Sequence, residues 1–287
     1  MEYTTLGKTG RKVSRLGYGG TVAGLKHYMR EFDPEDQKSK ETLIEALQTA
    51  HQLGVTYFDT AAAYGDGVSE RIFGEALQGI PEDDIFLATK VSAGDAAKTR
   101  ASLERSLKNL RRDRIDLIQI HGTNYSDELC DEMLGANGMA EELEKAKREG
   151  LVRYIGFTIE CQNPALYRFI RSGRFDVMQI EYNLMFQHPY DPSWESGSLY
   201  DAEKQGLGVA VMRTATSGIF QRWIQEVNPA NTFDYTPALI QLVLSNPLVD
   251  VALLGMRTAD RVRANVAIVE DTEHRVDLNA IHTRYVK

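Results

Sequence analysis

Asp59, Tyr64, Lys90 and His121 are an acid, a phenol, an amine and an imidazole at four places along one chain. Brought together, they could carry a proton to or from a carbonyl oxygen while something else attacks the carbon. A phenol in water holds its proton up to a pH of about 10 and is a poor acid at neutrality. A lysine ammonium beside it favours the phenolate, and an aspartate can hold that lysine in place. An imidazole within reach can donate a hydrogen bond to the carbonyl oxygen and orient it. Taken singly, a strand-end Asp or Lys reads as a structural ion pair, and a lone His as a satisfied core residue. The order and flanking sequence of all four favour chemistry.

The flanks are short, apolar and β-rich, as strands of a parallel sheet are. Asp59 ends Gly54-Val55-Thr56-Tyr57-Phe58-Asp59, and Tyr64 follows in the next loop. Lys90 ends Ile85-Phe86-Leu87-Ala88-Thr89-Lys90, and His121 ends Ile115-Asp116-Leu117-Ile118-Gln119-Ile120-His121. In a (β/α)8 barrel such ends converge on the C-terminal face, where catalysis takes place.

The rest of the chain repeats this alternation. The opening 3–14 reads as a hairpin, with Gly7 and Gly10 bracketing its turn. Strands are expected at 16–19, 56–59, 85–90, 115–121, 152–157, 175–180, 208–212 and 249–254. Helices are expected at 34–53, 69–77, 97–110, 139–148, 164–172, 198–205, 237–245 and 259–269, with Ser69 as the N-cap of the second. Gly150 reads as the residue just past a helix, and Gly74 inside one suggests close backbone packing. Eight strand–helix units point to an α/β fold, a (β/α)8 TIM barrel with an N-terminal β-hairpin. The expectation is one domain over 1–287, with the hairpin at 1–14 and the barrel at 15–287.

The 287 residues carry a formal net charge of -8, and the basic residues are scattered, which argues against a nucleic-acid partner. No apolar run approaches the roughly 20 residues that span a bilayer, and no secretory leader is visible. A cytoplasmic protein is expected. Cys130 and Cys161 stand far apart, and no histidines make a metal-spaced pair, so neither disulfides nor a metal site is expected.

Asp59, Tyr64, Lys90 and His121 resemble the catalytic tetrad of the aldo-keto reductase superfamily. The segments Phe58-Asp59-Thr60-Ala61 and Tyr64-Gly65-Asp66-Gly67-Val68-Ser69-Glu70 resemble its signature around the tyrosine. Further likenesses lie in Arg153-Tyr154-Ile155-Gly156-Phe157-Thr158, in Gln179-Ile180-Glu181-Tyr182-Asn183, and in Leu254-Gly255-Met256-Arg257-Thr258 with Asn265. The resemblance implies hydride transfer between NADPH and a carbonyl, with Tyr64 as general acid, Lys90 and Asp59 as its tuners, and His121 as orienter. It lays the dinucleotide across the barrel mouth, with NADH the less favoured cofactor; no Gly-x-Gly-x-x-Gly follows a strand.

The implied cofactor residues are Gly20, Thr21, Asp59, Thr158, Gln179, Arg213, Thr214, Thr216, Gly218, Gly255, Met256, Arg257, Thr258, Arg261 and Asn265. Thr158 and Gln179 would meet the carboxamide, and residues 255–258 the phosphates. Arg261, beside Arg257, would meet the 2′-phosphate, and Asn265 the adenine. An arginine fork suits a phosphate dianion.

The chain departs from the family at Ile159, where an asparagine is usual, and at Ala264, where a glutamate is common. It departs again at Arg213, where an aromatic usually stacks on the nicotinamide. Arg213 either contacts cofactor or substrate or pairs with a carboxylate. Uncompensated, it would disfavour the cationic oxidised ring. Phe186 and Trp194 either line the substrate pocket or fold their loop.

The substrate expected is a small carbonyl compound, sugar-like or anionic rather than steroidal. The chain ends soon after the last expected helix, at Lys287, so the long pocket-shaping tail of some relatives is not expected. The alternative is a cofactor-binding regulatory subunit, since some superfamily members are partners of a membrane channel. The intact tetrad and the absence of an extension before the hairpin favour the enzyme.

Overall fold

The computed structural model describes residues 1–285, and Lys287 lies outside them. The strands are β1 Tyr3–Thr5, β2 Lys12–Ser14, β3 Leu16–Gly19, β4 Tyr57–Asp59 and β5 Phe86–Ser92. They continue as β6 Ile115–His121, β7 Val152–Ile159, β8 Val177–Glu181, β9 Gly208–Met212 and β10 Val251–Leu254. β1 and β2 pair antiparallel, and the other eight close a parallel barrel in the order β10-β3-β4-β5-β6-β7-β8-β9. With helices between its strands, this is the TIM barrel with an N-terminal hairpin that the sequence alternation predicts.

Period-2 alternation fills the lumen. Tyr57, Phe86, Ala88, Leu117, Val177, Ala210 and Val251 form an inner apolar cluster, separate from the shell between strands and helices. The rings of Tyr57 and Phe86 stack at 5.1 Å, and Phe86 and Tyr154 at 6.0 Å. Leu6 and Val13 of the hairpin belong to the same cluster, so the hairpin plugs one end. Gly7 is required there: its φ is +42°, and a Cβ would lie 2.2 Å from the Gly208 amide nitrogen. Above the apolar layer, the next inward position is polar on four strands, β4, β5, β6 and β8: Asp59 after Tyr57, Lys90 after Ala88, Gln119 after Leu117, Gln179 after Val177.

The helix after Tyr64 runs Val68–Ala76 and starts differently from expectation. Gly67, in the left-handed region at φ 83°, is its N-cap, while Ser69 lies inside the helix. The Ser69 hydroxyl donates to the Gly20 carbonyl at 2.9 Å and accepts from Thr60 at 2.7 Å, tying helix to barrel. Gly74 does permit close packing, since a Cβ there would lie 2.4 Å from the Asn109 carbonyl oxygen. Strand β5 runs two residues past Lys90, and β7 two residues past Phe157. Helices Asp127–Leu134, Ile219–Val227 and Leu278–Tyr285 and the single turn Thr21–Gly24 were not expected. No helix among the described residues is long and apolar enough to cross a membrane.

Candidate active site

Lys90 carries the geometry of the site. Only 1% exposed, its ammonium donates to Asp59 Oδ1 at 2.8 Å, to Oδ2 at 2.6 Å and to the Thr60 carbonyl at 2.8 Å. The β4–β5 register explains the pairing: Asp59 lies opposite Ala88, and Lys90 is the next inward residue. Burial alone would push the ammonium's pKa down, but Asp59 and Tyr64 together outweigh it and the shift is upward. Lys90 Nζ sits 5.1 Å from the centre of the Tyr64 ring. The His121 ring meets the same tyrosine edge-on, with centroids 5.5 Å apart and planes at 85°.

All four residues line one cavity of about 350 Å³. His121 is neutral there. Burial, helped by the Lys90 cation, depresses its pKa from 6.5 to about 3. The sign follows. Between those values the unfolded chain binds a proton that the folded one does not, so stability rises with pH. The His121 contribution is complete above pH 6.5 and is lost as the pH falls towards 3. His121→Asn should therefore flatten the acid limb of stability in this window, measured by urea unfolding at a series of pH values. An unaltered acid limb would contradict a buried neutral imidazole.

Two further side chains join the tetrad that the sequence reading passed over. Gln119 Nε2 donates to Gln179 Oε1 at 3.0 Å and to Asp59 Oδ1 at 3.4 Å, linking the acid to the next wall of the barrel. Its inward position between Leu117 and His121 was the signal for it. Glu160, just after β7, lines the cavity beside Arg213, and a lone acid past a strand end gave no signal.

The implied cofactor residues divide by location. Thr21, Asp59, Thr158, Gln179, Arg213, Thr214, Gly218 and Gly255 line the cavity, and Gly20, Thr216, Met256, Arg257, Thr258, Arg261 and Asn265 do not. Gly20 faces the fold, where a Cβ would lie 2.7 Å from the Asp59 carbonyl oxygen. Thr216 is buried and its hydroxyl accepts from the Phe220 amide at 3.1 Å. Met256 is buried, and its carbonyl accepts from the Tyr18 hydroxyl. Arg257 is spoken for: Nη2 donates to the Tyr28 carbonyl at 2.6 Å, and the guanidinium lies 4.6 Å from the Phe32 ring centre. It fastens the segment whose Tyr28 and Met29 form part of the cavity wall. Thr258 caps the helix Ala259–Glu270, Arg261 is exposed on its first turn, and Asn265 is buried on its inner face. Ile159 is fully buried in the apolar shell. Phe186 and Trp194 do not line the cavity. Trp194 is 81% exposed, and Phe186 packs edge-on to His188 in its own loop.

Of the two alternatives expected for Arg213, the structure shows the pairing with a carboxylate. Arg213 lines the cavity and is paired, at 3.0 Å with Glu160 and 3.0 Å with Glu181. The condition under which Arg213 would disfavour the cationic oxidised ring, an uncompensated charge, is therefore not met. The loop holding it is strained: Arg213, Thr216 and Ser217 have φ of 56°, 54° and 51°, and a β-branched residue is an outlier there.

Comparison with known proteins agrees with this architecture. L-galactose dehydrogenase of Arabidopsis thaliana is 26% identical over 95% of this chain and 89% of its own. An aldo-keto reductase of Bacillus halodurans in its holo form superposes with a TM-score of 0.76 at 23% identity, covering 97% of this chain and 93% of that one. One from Klebsiella pneumoniae in complex with NADPH gives 0.72 at 21% identity, covering 99% and 94%. The model of the aldo/keto reductase family matches residues 15–241, which contain Asp59, Tyr64, Lys90 and His121 and all of the cavity wall except Leu253, Leu254 and Gly255. The chain belongs to the aldo/keto reductase family of oxidoreductases.

Proposed function

We propose that this protein interconverts a carbonyl compound and its alcohol with NADP(H), and that Tyr64 moves the proton. The observation that carries the reading is the buried Lys90 ammonium, clamped by Asp59 beneath Tyr64, with neutral His121 edge-on beside it. In reduction, the Tyr64 hydroxyl donates its proton to the carbonyl oxygen, and Lys90 stabilises the phenolate that is left. His121 donates a hydrogen bond to the same oxygen and fixes the carbonyl's direction. Oxidation runs the same path backwards, with the phenolate as base. When bound, the nicotinamide supplies or takes up the hydride at the carbonyl carbon.

The residues present fit such a dinucleotide. Asn265 Oδ1 is buried with no hydrogen-bond partner within the protein, as a group held for the adenine would be. Gly255 is open to the cavity, and a Cβ there would lie 2.6 Å from Val22 Cγ1, so the backbone stays bare for close approach. The N-terminus of the helix Ala259–Glu270 follows at once and favours an anion. Arg261 on its first turn would hold the 2′-phosphate. Arg257, turned to Tyr28 and Phe32, would instead shape the wall.

Arg261→Ala should weaken NADPH binding about ten- to hundredfold while leaving NADH binding nearly unchanged, the scale of one charge-assisted contact. Titrating both cofactors by calorimetry checks this. Equal losses for both would assign Arg261 to the fold or the pyrophosphate.

The paired Arg213 offers no free cation to an anionic substrate, and the cavity wall is rich in polar side chains. A neutral, polar, sugar-like carbonyl or alcohol suits it best, in keeping with the relative that is a galactose dehydrogenase. A panel of aldoses, dicarbonyls, aromatic aldehydes, aldehyde carboxylates and ketosteroids, assayed in both directions, tests this reading. A preference for carboxylates or steroids would overturn the substrate class.

A further inference from the structure

Two carboxylates stand against one guanidinium at the cavity wall. Arg213 Nη1 lies 3.0 Å from Glu181 Oε2, and Nη2 lies 3.0 Å from Glu160 Oε2. Glu181 is the inner partner: it is buried, ends β8, and also accepts from Asn183 Nδ2 at 3.4 Å. That pair alone balances the arginine. Glu160 is the surplus charge. Its position is fixed, because its amide and that of Cys161 both donate to the Thr123 carbonyl at 3.0 Å.

Arg213 and Glu160 line the same cavity as Thr158, Gln179 and Tyr64. The other ionisable groups on that wall add no net charge: Lys90 and Asp59 offset one another, and His121 is neutral. The loop also holds Arg213 at φ 56°, a strained backbone that sets its guanidinium between the two acids.

We propose that Glu160 sets the redox preference of the cofactor site, its surplus negative charge favouring the cationic oxidised nicotinamide over the neutral reduced one. The proposal rests on the reading that the nicotinamide lies against Thr158 and Gln179. It reverses the expectation for a bare Arg213 and makes bound NADPH the stronger reductant, which poises the bound cofactor towards carbonyl reduction. The acid that matters is the outer one. Glu181 is needed to balance Arg213, whereas removal of Glu160 changes the local charge by one unit and leaves a neutral pair in place.

Calorimetric titration of NADP⁺ and NADPH, without substrate, against the parent, Glu160→Gln and Glu160→Asp tests this. Glu160→Gln should lower affinity for NADP⁺ relative to NADPH by about three- to tenfold, the size of one screened unit charge several ångströms away. Glu160→Asp keeps the charge and should keep the parental ratio. A loosened wall would weaken both cofactors together, so the ratio reports charge and not packing. An unchanged ratio in Glu160→Gln, or equal losses for both cofactors, would overturn the role of Glu160 alone. A parent protein that bound neither cofactor would overturn the proposed function and this inference together.

Discussion

Tyr64→Phe should lower kcat by about 10²–10⁴-fold, the range that general acid catalysis supplies, while NADPH affinity stays close to that of the parent. The substitution removes one hydroxyl and keeps the ring that faces Lys90 and His121. No residue assigned to the cofactor loses a partner. The proton is needed only as charge develops on the substrate oxygen, so the loss should fall on kcat and kcat/KM alike. Steady-state kinetics with one aldehyde, together with NADPH titration of the same preparation, make the check. A kcat near the parental value would remove Tyr64 from the chemistry.

Lys90→Met should cost both activity and stability, and the two losses should be separable. Lys90 and Asp59 are 1% and 3% exposed, so removing the ammonium leaves a buried carboxylate without its counter-charge. Breaking a buried pair in this way typically costs about 3–5 kcal/mol. A well-packed neutral replacement of both partners is far less costly. Lys90→Met combined with Asp59→Asn should therefore recover most of the stability. It should not recover turnover, because the Tyr64 phenolate still lacks a cation. Urea unfolding and kcat measured on both variants decide the matter. Near-parental turnover in the double variant would make the pair structural only.

Much of this site could be read from the chain because it lies on strands. Asp59, Lys90 and His121 follow β-rich runs, and in a closed parallel barrel such positions share one face whatever the loops do. The same alternation points to Gln119 and Glu181, each two residues from an inward neighbour, though neither was picked out from the sequence. The partners of Arg213 were harder to see. Glu160, Glu181 and Arg213 come from three successive strand ends and meet only through the β7–β8–β9 register, which no local pattern states. Tyr28 and Met29 reach the cavity from an irregular segment in which His27 and Met29 have positive φ, and such a segment has no periodicity to read. The helix Ile219–Val227 is a different case. Its apolar residues at 219, 220, 223, 224 and 227 have helical spacing, but they bury none of its side chains, so the usual link from period to core does not apply there.

The central claim is that Tyr64, Lys90, Asp59 and His121 form a working proton-transfer site beside a bound cofactor. It is tested most directly by a single-turnover experiment. Protein loaded with an equal amount of NADPH is mixed rapidly with a neutral polar aldehyde, and the absorbance of the reduced nicotinamide is followed. The account predicts complete oxidation of the bound NADPH in the parent. In Tyr64→Phe, it predicts the same occupancy with oxidation slowed by about 10²–10⁴-fold. NADPH that binds the parent fully and stays reduced across the whole carbonyl panel would contradict it, and would make the barrel a cofactor-binding subunit in place of an enzyme.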